Sequence, residues 1–112
     1  MKEERPWGHY EVLSETYGIK VKKLWIAKDH RISLQSHRRR TEYWTVAEGL
    51  GKLELDDAVF AMYPGAMFAI APETRHRAKA TSDSGMTIVE VQLGKYLEED
   101  DIVRYEDDYK RT

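Results

Sequence analysis

Cysteine is absent from the 112 residues, which excludes disulfides and thiolate metal centres and agrees with a reducing compartment. Neither sign of charge dominates: 18 Lys and Arg against 20 Asp and Glu give a net charge of −2. The chain therefore lacks the polyelectrolyte footprint of a nucleic-acid binder. No apolar run approaches membrane-spanning length. The opening MKEERPWGHY lacks the apolar core of a signal peptide. With three prolines and seven glycines there is no linker-like stretch, and no internal repeat is found. These absences predict one soluble, cytoplasmic domain over residues 1–112, with no nucleic-acid or membrane partner and enough chain for one modest core.

Helical periodicity is scarce before residue 94. Short β-prone runs take its place: HYEVLS, GIKVKKLWIA, ISLQ, TEYWTVAEG, GKLELD, AVFAMY, AMFAIA, RHRAKA and MTIVEVQL. Turn chemistry separates them, at Tyr17-Gly18, Asp56-Asp57, Pro64-Gly65 and Asp83-Ser84-Gly85. Strands this short and regular predict an all-β jelly-roll sandwich or barrel. The acidic tail KYLEEDDIVRYEDDYKRT is expected to form a turn or single helical turn packed on the barrel. Met62, Met67 and Met86 read as core filler, and His9 and His30 as surface residues.

One constellation carries chemistry. Gln35 and His37 share strand parity, Glu42 follows beyond an arginine run, and His76 follows Pro64-Gly65 after ten residues. A lone Q-x-H carries little weight. The joint spacing Q-x-H-x4-E-x6-G followed by P-G-x10-H is far rarer. Inside a barrel it brings two imidazoles, a carboxylate and an amide oxygen toward one point. That set suits a divalent ion such as Zn, Mn, Fe, Co or Ni.

This pattern resembles the two cupin motifs. In the first, Asp29 stands for the opening Gly and Gln35 for the first His, while His37, Glu42 and Gly49 match. In the second, Gly65 and His76 match, Ala71 stands where Pro is expected, Glu73 replaces the Gly and Ala80 the Asn. A closer resemblance covers nearly the whole chain. RPWG-x-YE (Arg5 to Glu11), SLQ-x-H with R-x-E-x-W (Arg40, Glu42, Trp44), IVEVQLG-x-YL and EDDIVRYEDDYKR are similar to the cupin domain of type II mannose-6-phosphate isomerases. The resemblance implies a cupin jelly-roll barrel with one divalent metal on Gln35, His37, Glu42 and His76. Zinc comes first, because isomerases of the other structural type use a Gln-x-His pair on zinc. Bifunctional relatives also carry a nucleotidyltransferase domain with a Gly-rich loop; these 112 residues contain no such loop, so guanylyltransferase activity is not expected of them. Relatives have histidines where this chain has Arg38, Arg39 and Tyr43, which implies weaker metal binding if one of those histidines is a ligand.

The implied reaction converts mannose 6-phosphate to fructose 6-phosphate through a cis-enediolate. Its partner is a small sugar phosphate. Arg40, in the family's R-x-E-x-W position, is expected to contact substrate phosphate and to steady developing negative charge. Arg39 shares parity with His37 and is a further substrate contact, as are Arg5 and Trp7. Glu42 is a poor base when committed to metal, which leaves Glu90 or Tyr43. Glu90 has two readings: in solvent beneath an apolar strand face, or turned inward as the base. The alternatives to an isomerase are a non-catalytic cupin that binds metal and a sugar phosphate or nucleotide sugar, or another metal-dependent cupin reaction such as dioxygenation. A homodimer is expected by analogy with small cupins.

Overall fold

The computed structural model describes residues 2–110; Met1, Arg111 and Thr112, and with Arg111 the last position of the family-like tail block, lie outside them. Eleven strands follow one another: β1 (Lys2–Arg5), β2 (Gly8–Thr16), β3 (Ile19–Ile26), β4 (Leu34–Ser36), β5 (Thr41–Glu48), β6 (Gly51–Leu55), β7 (Ala58–Met62), β8 (Met67–Ile70), β9 (His76–Ala80), β10 (Met86–Leu93) and β11 (Val103–Glu106). They pair antiparallel into two sheets, β1-β2-β3-β10-β5-β8 and β11-β4-β9-β6-β7. This is the double-stranded β-helix of the cupins. No helix occurs among the described residues.

All nine expected strands are present. Two more were not expected. β1 is the charged run KEER, which an edge strand tolerates because its outer groups stay in water. β11 corrects the reading of the tail: it is not a helical turn but a strand paired with β4. Ser36 and Tyr105 share a hydrogen bond of 2.9 Å, and Arg77 Nη2 donates to the Glu106 carbonyl at 3.0 Å. His30 is corrected too, since its Nδ1 lies 2.6 Å from the Tyr109 hydroxyl. His9 stacks on Trp25 at 5.3 Å. Met62 and Met86 are buried, but Met67, on the edge strand β8, is 74% exposed and is not core.

The interior is divided along the strands. On β3 the inward positions run Ile26, Leu24, Lys22, Lys20, and on β10 they run Met86, Ile88, Glu90, Gln92. Those residues pair one to one across the ladder. On β5 the inward set Val46, Trp44, Glu42 makes the same change, with Gln92 opposite Glu42. One half of the interior is thus an apolar core that includes Ile26, Trp44, Leu53, Met86 and Ile88. Each such side chain contributes about 1.5–3 kcal/mol on burial. The other half is polar, and burying those groups is costly unless they are paired.

Two motif positions hold their glycine-like geometry without glycine. Asp29 has φ 65° and Glu73 φ 67°, both in the left-handed region. Gly49, where the motif is kept, has φ 86°, and a Cβ there would meet the Gly85 carbonyl at 2.1 Å. Glu73 also donates its backbone N–H to the His37 carbonyl at 2.6 Å, tying the two motifs together. Left-handed backbone costs a residue with a Cβ about 1–2 kcal/mol, partly offset by the unfolded-state entropy of glycine. Glu73→Gly is therefore expected to stabilise the fold by about 1 kcal/mol in urea unfolding. A destabilisation of that size contradicts the strain.

Candidate metal centre

β5 directs Glu42 into the polar half, β9 opens with His76, and His37 follows the end of β4. All three are buried, and one donor atom from each lies within 4.8 Å of the others. His37 Nε2 is 3.3 Å from Glu42 Oε2, and His76 Nε2 is 3.8 Å from Glu42 Oε1. The tautomers follow from the opposite ring atoms. His37 Nδ1 meets the Asp101 carbonyl at 2.6 Å, and His76 Nδ1 meets the Thr74 carbonyl at 3.0 Å. A carbonyl only accepts, so each Nδ1 carries the proton and each neutral ring turns a bare Nε2 lone pair toward the carboxylate. Trp44 Nε1 steadies that carboxylate, donating to Oε1 at 3.0 Å.

Electrostatics keep the set in ligand form. Burial pulls His37 down to about 4, with Glu42 opposing and Arg40 assisting. Burial likewise lowers His76. For Glu42, burial works upward, but the charged surroundings, with the Arg40 guanidinium hydrogen-bonded to it, outweigh burial and hold the carboxyl below its ordinary range. Two neutral imidazoles and one carboxylate converging on a buried point fit a divalent cation. Gln35, opposite His76 on β4, lines the same cavity. Its Nε2 donates to Ser33 Oγ at 3.0 Å, so its Oε1 is the end left for a cation. The described cation among the ligands is Arg40, with Nε 2.7 Å from Glu42 Oε2 and Nη2 3.2 Å from His37 Nε2.

The cavity, of about 130 Å³, is lined by these residues and by Arg5, Trp7, Lys22, Glu90, Glu99 and Arg104, among others. Arg5, Trp7, Arg40 and Glu90 are thus brought to the site, and Arg39 is not. β4 stops at Ser36, so strand parity does not extend through residues 37–40. Arg39 is exposed, with its guanidinium 4.7 Å over the Tyr96 ring. Tyr43 is 46% exposed on the outer face of β5, away from Glu42, and is no base for this cavity. The reading of Glu90 as a solvent residue is also overturned, since it is 4% exposed and sits inside with Gln92.

The family described as Mannose-6-phosphate isomerase C-terminal matches residues 1–107. The chain belongs to this family. It is 36% identical over 108 residues to the xanthan biosynthesis protein XanB of Xanthomonas campestris, covering 96% of this chain and 23% of that protein. To the alginate biosynthesis protein AlgA of Pseudomonas aeruginosa it is 37% identical, over 96% of this chain and 22% of that protein. The chain thus spans less than a quarter of the length of these curated relatives. Among solved structures, KdgF from Halomonas matches with a TM-score of 0.78 at 17% identity, covering 89% of this chain and 91% of its own. An RmlC-like cupin from Shewanella frigidimarina gives 0.77 at 19% identity, covering 89% and 86%. At these identities the likeness shows the fold alone.

Sequence reasoning missed Lys20, Lys22, Glu99, Asp101 and Arg104. Lys20 Nζ donates to the Leu97 carbonyl at 2.6 Å, and Lys22 Nζ pairs with Glu99 at 2.8 Å. The Asp101 carboxylate accepts from the backbone N–H groups of Arg38 and Arg39, both at 3.0 Å, while its carbonyl orients His37. The signal was present: in IKVKKLWI, Lys20 and Lys22 share parity with Leu24 and Ile26.

Glu90 gives a pH-dependent prediction. Burial, with the nearby charge of Glu42, raises its carboxyl to about 7, against Lys22 and the hydrogen bond from Gln92. The folded metal-free protein keeps this proton where the unfolded chain releases it. Glu90's contribution is full below the ordinary carboxyl value and lost as pH rises to about 7, which amounts to about 3 kcal/mol. The lowered histidines act with the opposite sign, losing stability toward acid, but both proteins compared contain them. In urea unfolding from about pH 4 to about pH 8, wild type should lose about 3 kcal/mol relative to Glu90→Gln. A flat difference contradicts the assignment.

Proposed function

We propose that this chain is a metal-dependent sugar-phosphate aldose–ketose isomerase, converting mannose 6-phosphate to fructose 6-phosphate. One observation carries the reading: a buried carboxyl held near neutrality, Glu90, shares a cavity with an ionised carboxylate, two neutral imidazoles and an arginine. Environments that separate two carboxyls in this way assign one as proton carrier and the other as fixed charge. His37, Glu42 and His76, with Gln35, would hold a divalent ion. The ion would supply Lewis-acid polarisation of the substrate's oxygens.

In this scheme Glu90 takes the C2 proton, and the C–H electrons form the C1–C2 double bond of the cis-enediolate as the C1 carbonyl oxygen gains negative charge. The proton of the C2 hydroxyl moves to that oxygen. As the C2 carbonyl forms, Glu90 returns its proton to C1. A base near 7 is matched to work at neutral pH. Arg40 Nη1 is buried with no acceptor among the described residues, a donor suited to the developing oxyanion. Trp7 closes one wall against water. The ligand is then a small cytoplasmic sugar phosphate, and a second copy is the expected partner.

The second reading is a cupin that binds metal and sugar phosphate or nucleotide sugar without turnover. Arg40 favours it, because a guanidinium already bonded to Glu42 and His37 neutralises the ligand set without a metal. Proton NMR in D₂O separates the two. Metal-loaded protein that isomerises should wash the C2 proton out of mannose 6-phosphate. A binding module leaves that signal intact at full occupancy.

A further inference from the structure

Four cationic side chains line the cavity: Arg5, Lys22, Arg40 and Arg104. Three of them have acceptors. Arg5 donates to the Glu4 carbonyl at 2.8 Å and to the Tyr10 hydroxyl at 3.2 Å. Lys22 is paired with Glu99 and Arg40 with Glu42. The Arg104 side chain, half-buried on β11, has no hydrogen bond or ion pair to another described residue, and its Nε is buried with no partner. Buried charged donors are rarely left unmatched, because the desolvation cost is not recovered.

Its position is set by the ladder. Arg104 on β11 is the register partner of Gln35 on β4, and Gln35 is the partner of His76 on β9. All three line the cavity. Arg104 therefore stands two strand spacings from His76, about 10 Å at the backbone. That separation is on the order of the length of a short polyol chain with one end at the metal-ligating residues.

We propose that Arg104 is the phosphate-binding residue of this cavity, taking the phosphoryl end of a sugar monophosphate whose carbonyl end faces His37, Glu42 and His76. The orientation rests on the isomerase reading; the anion site does not. A phosphate monoester carries about −1.5 to −2 charges at neutral pH, and its oxygens match the guanidinium fork. Arg40 is less suited, since Glu42 and His37 occupy two of its three nitrogens. β11 thereby becomes part of the substrate site and not a solvated appendage.

Calorimetric titration of the metal-loaded full chain with mannose 6-phosphate and with mannose, at matched ionic strength, tests this. Arg104→Ala should weaken mannose 6-phosphate binding roughly ten- to a hundredfold, with Arg104→Lys recovering part of the loss. Mannose should bind both proteins equally. Two controls should stay within about twofold of wild type: Arg38→Ala, which removes an exposed charge, and Tyr105→Phe, which removes an anchor of β11. Arg104→Ala within twofold of wild type overturns the proposal, as does Tyr105→Phe matching its loss, or wild type that does not prefer the phosphorylated sugar. Phosphate-dependent binding through Arg104 without turnover upholds the anion site and fails the isomerase. Turnover with an unchanged KM in Arg104→Ala does the reverse.

Discussion

Glu90→Gln is expected to lower kcat by roughly 10²–10⁴ with metal content and KM little changed. The amide keeps the size of the side chain and a hydrogen-bonding partner for Gln92, but it cannot accept a proton from carbon. The effect falls on kcat because Glu90 contributes to moving the proton more than to holding the substrate. Glu90→Asp keeps the chemistry and withdraws the carboxyl, so it should lie between the two. The kinetics should be read on metal-loaded protein near neutral pH. A Glu90→Gln variant that retains more than about a tenth of wild-type kcat removes Glu90 as the base.

His76→Ala is expected to cost more than about a hundredfold in affinity for a divalent ion. Losing only a group that orients a ligand typically costs ten- to a hundredfold, and here a donor itself is removed. The cavity offers no spare imidazole, since His9 and His30 are engaged elsewhere with Trp25 and Tyr109. His37→Ala should behave alike. Gln35→Ala should cost less, because a neutral amide oxygen is a weaker donor than an imidazole. Competition against a chelator gives the affinities, and elemental analysis gives the stoichiometry, expected at one ion per chain. Full retention of metal by His76→Ala contradicts the ligand set.

Much of this was legible because alternation is strong where one strand face is buried. TEYWTVAE places Glu42, Trp44 and Val46 on one side, and all three are buried. The ligand spacing survived the translation into three dimensions because β5 and β9 hold Glu42 and His76 in fixed register with their neighbours. The misses have a common cause. Inward polar residues look like a solvated face in sequence, which hides Lys20, Lys22 and Arg104 and leaves Glu90 two readings. Tertiary pairing with Glu99, itself in the tail, is what makes the buried lysines tolerable. Likewise, nothing local makes VRYE a strand; β4 supplies its partner. Strand parity points Arg39 inward, but the strand that carries that parity, β4, ends at Ser36.

The most direct measurement is a coupled isomerase assay on metal-reconstituted protein with a panel of hexose 6-phosphates. The account predicts turnover of mannose 6-phosphate to fructose 6-phosphate that disappears on chelation and returns with a divalent ion, and none with unphosphorylated mannose. Protein that holds one ion per chain and binds mannose 6-phosphate, yet turns over no hexose phosphate in the panel, would contradict it.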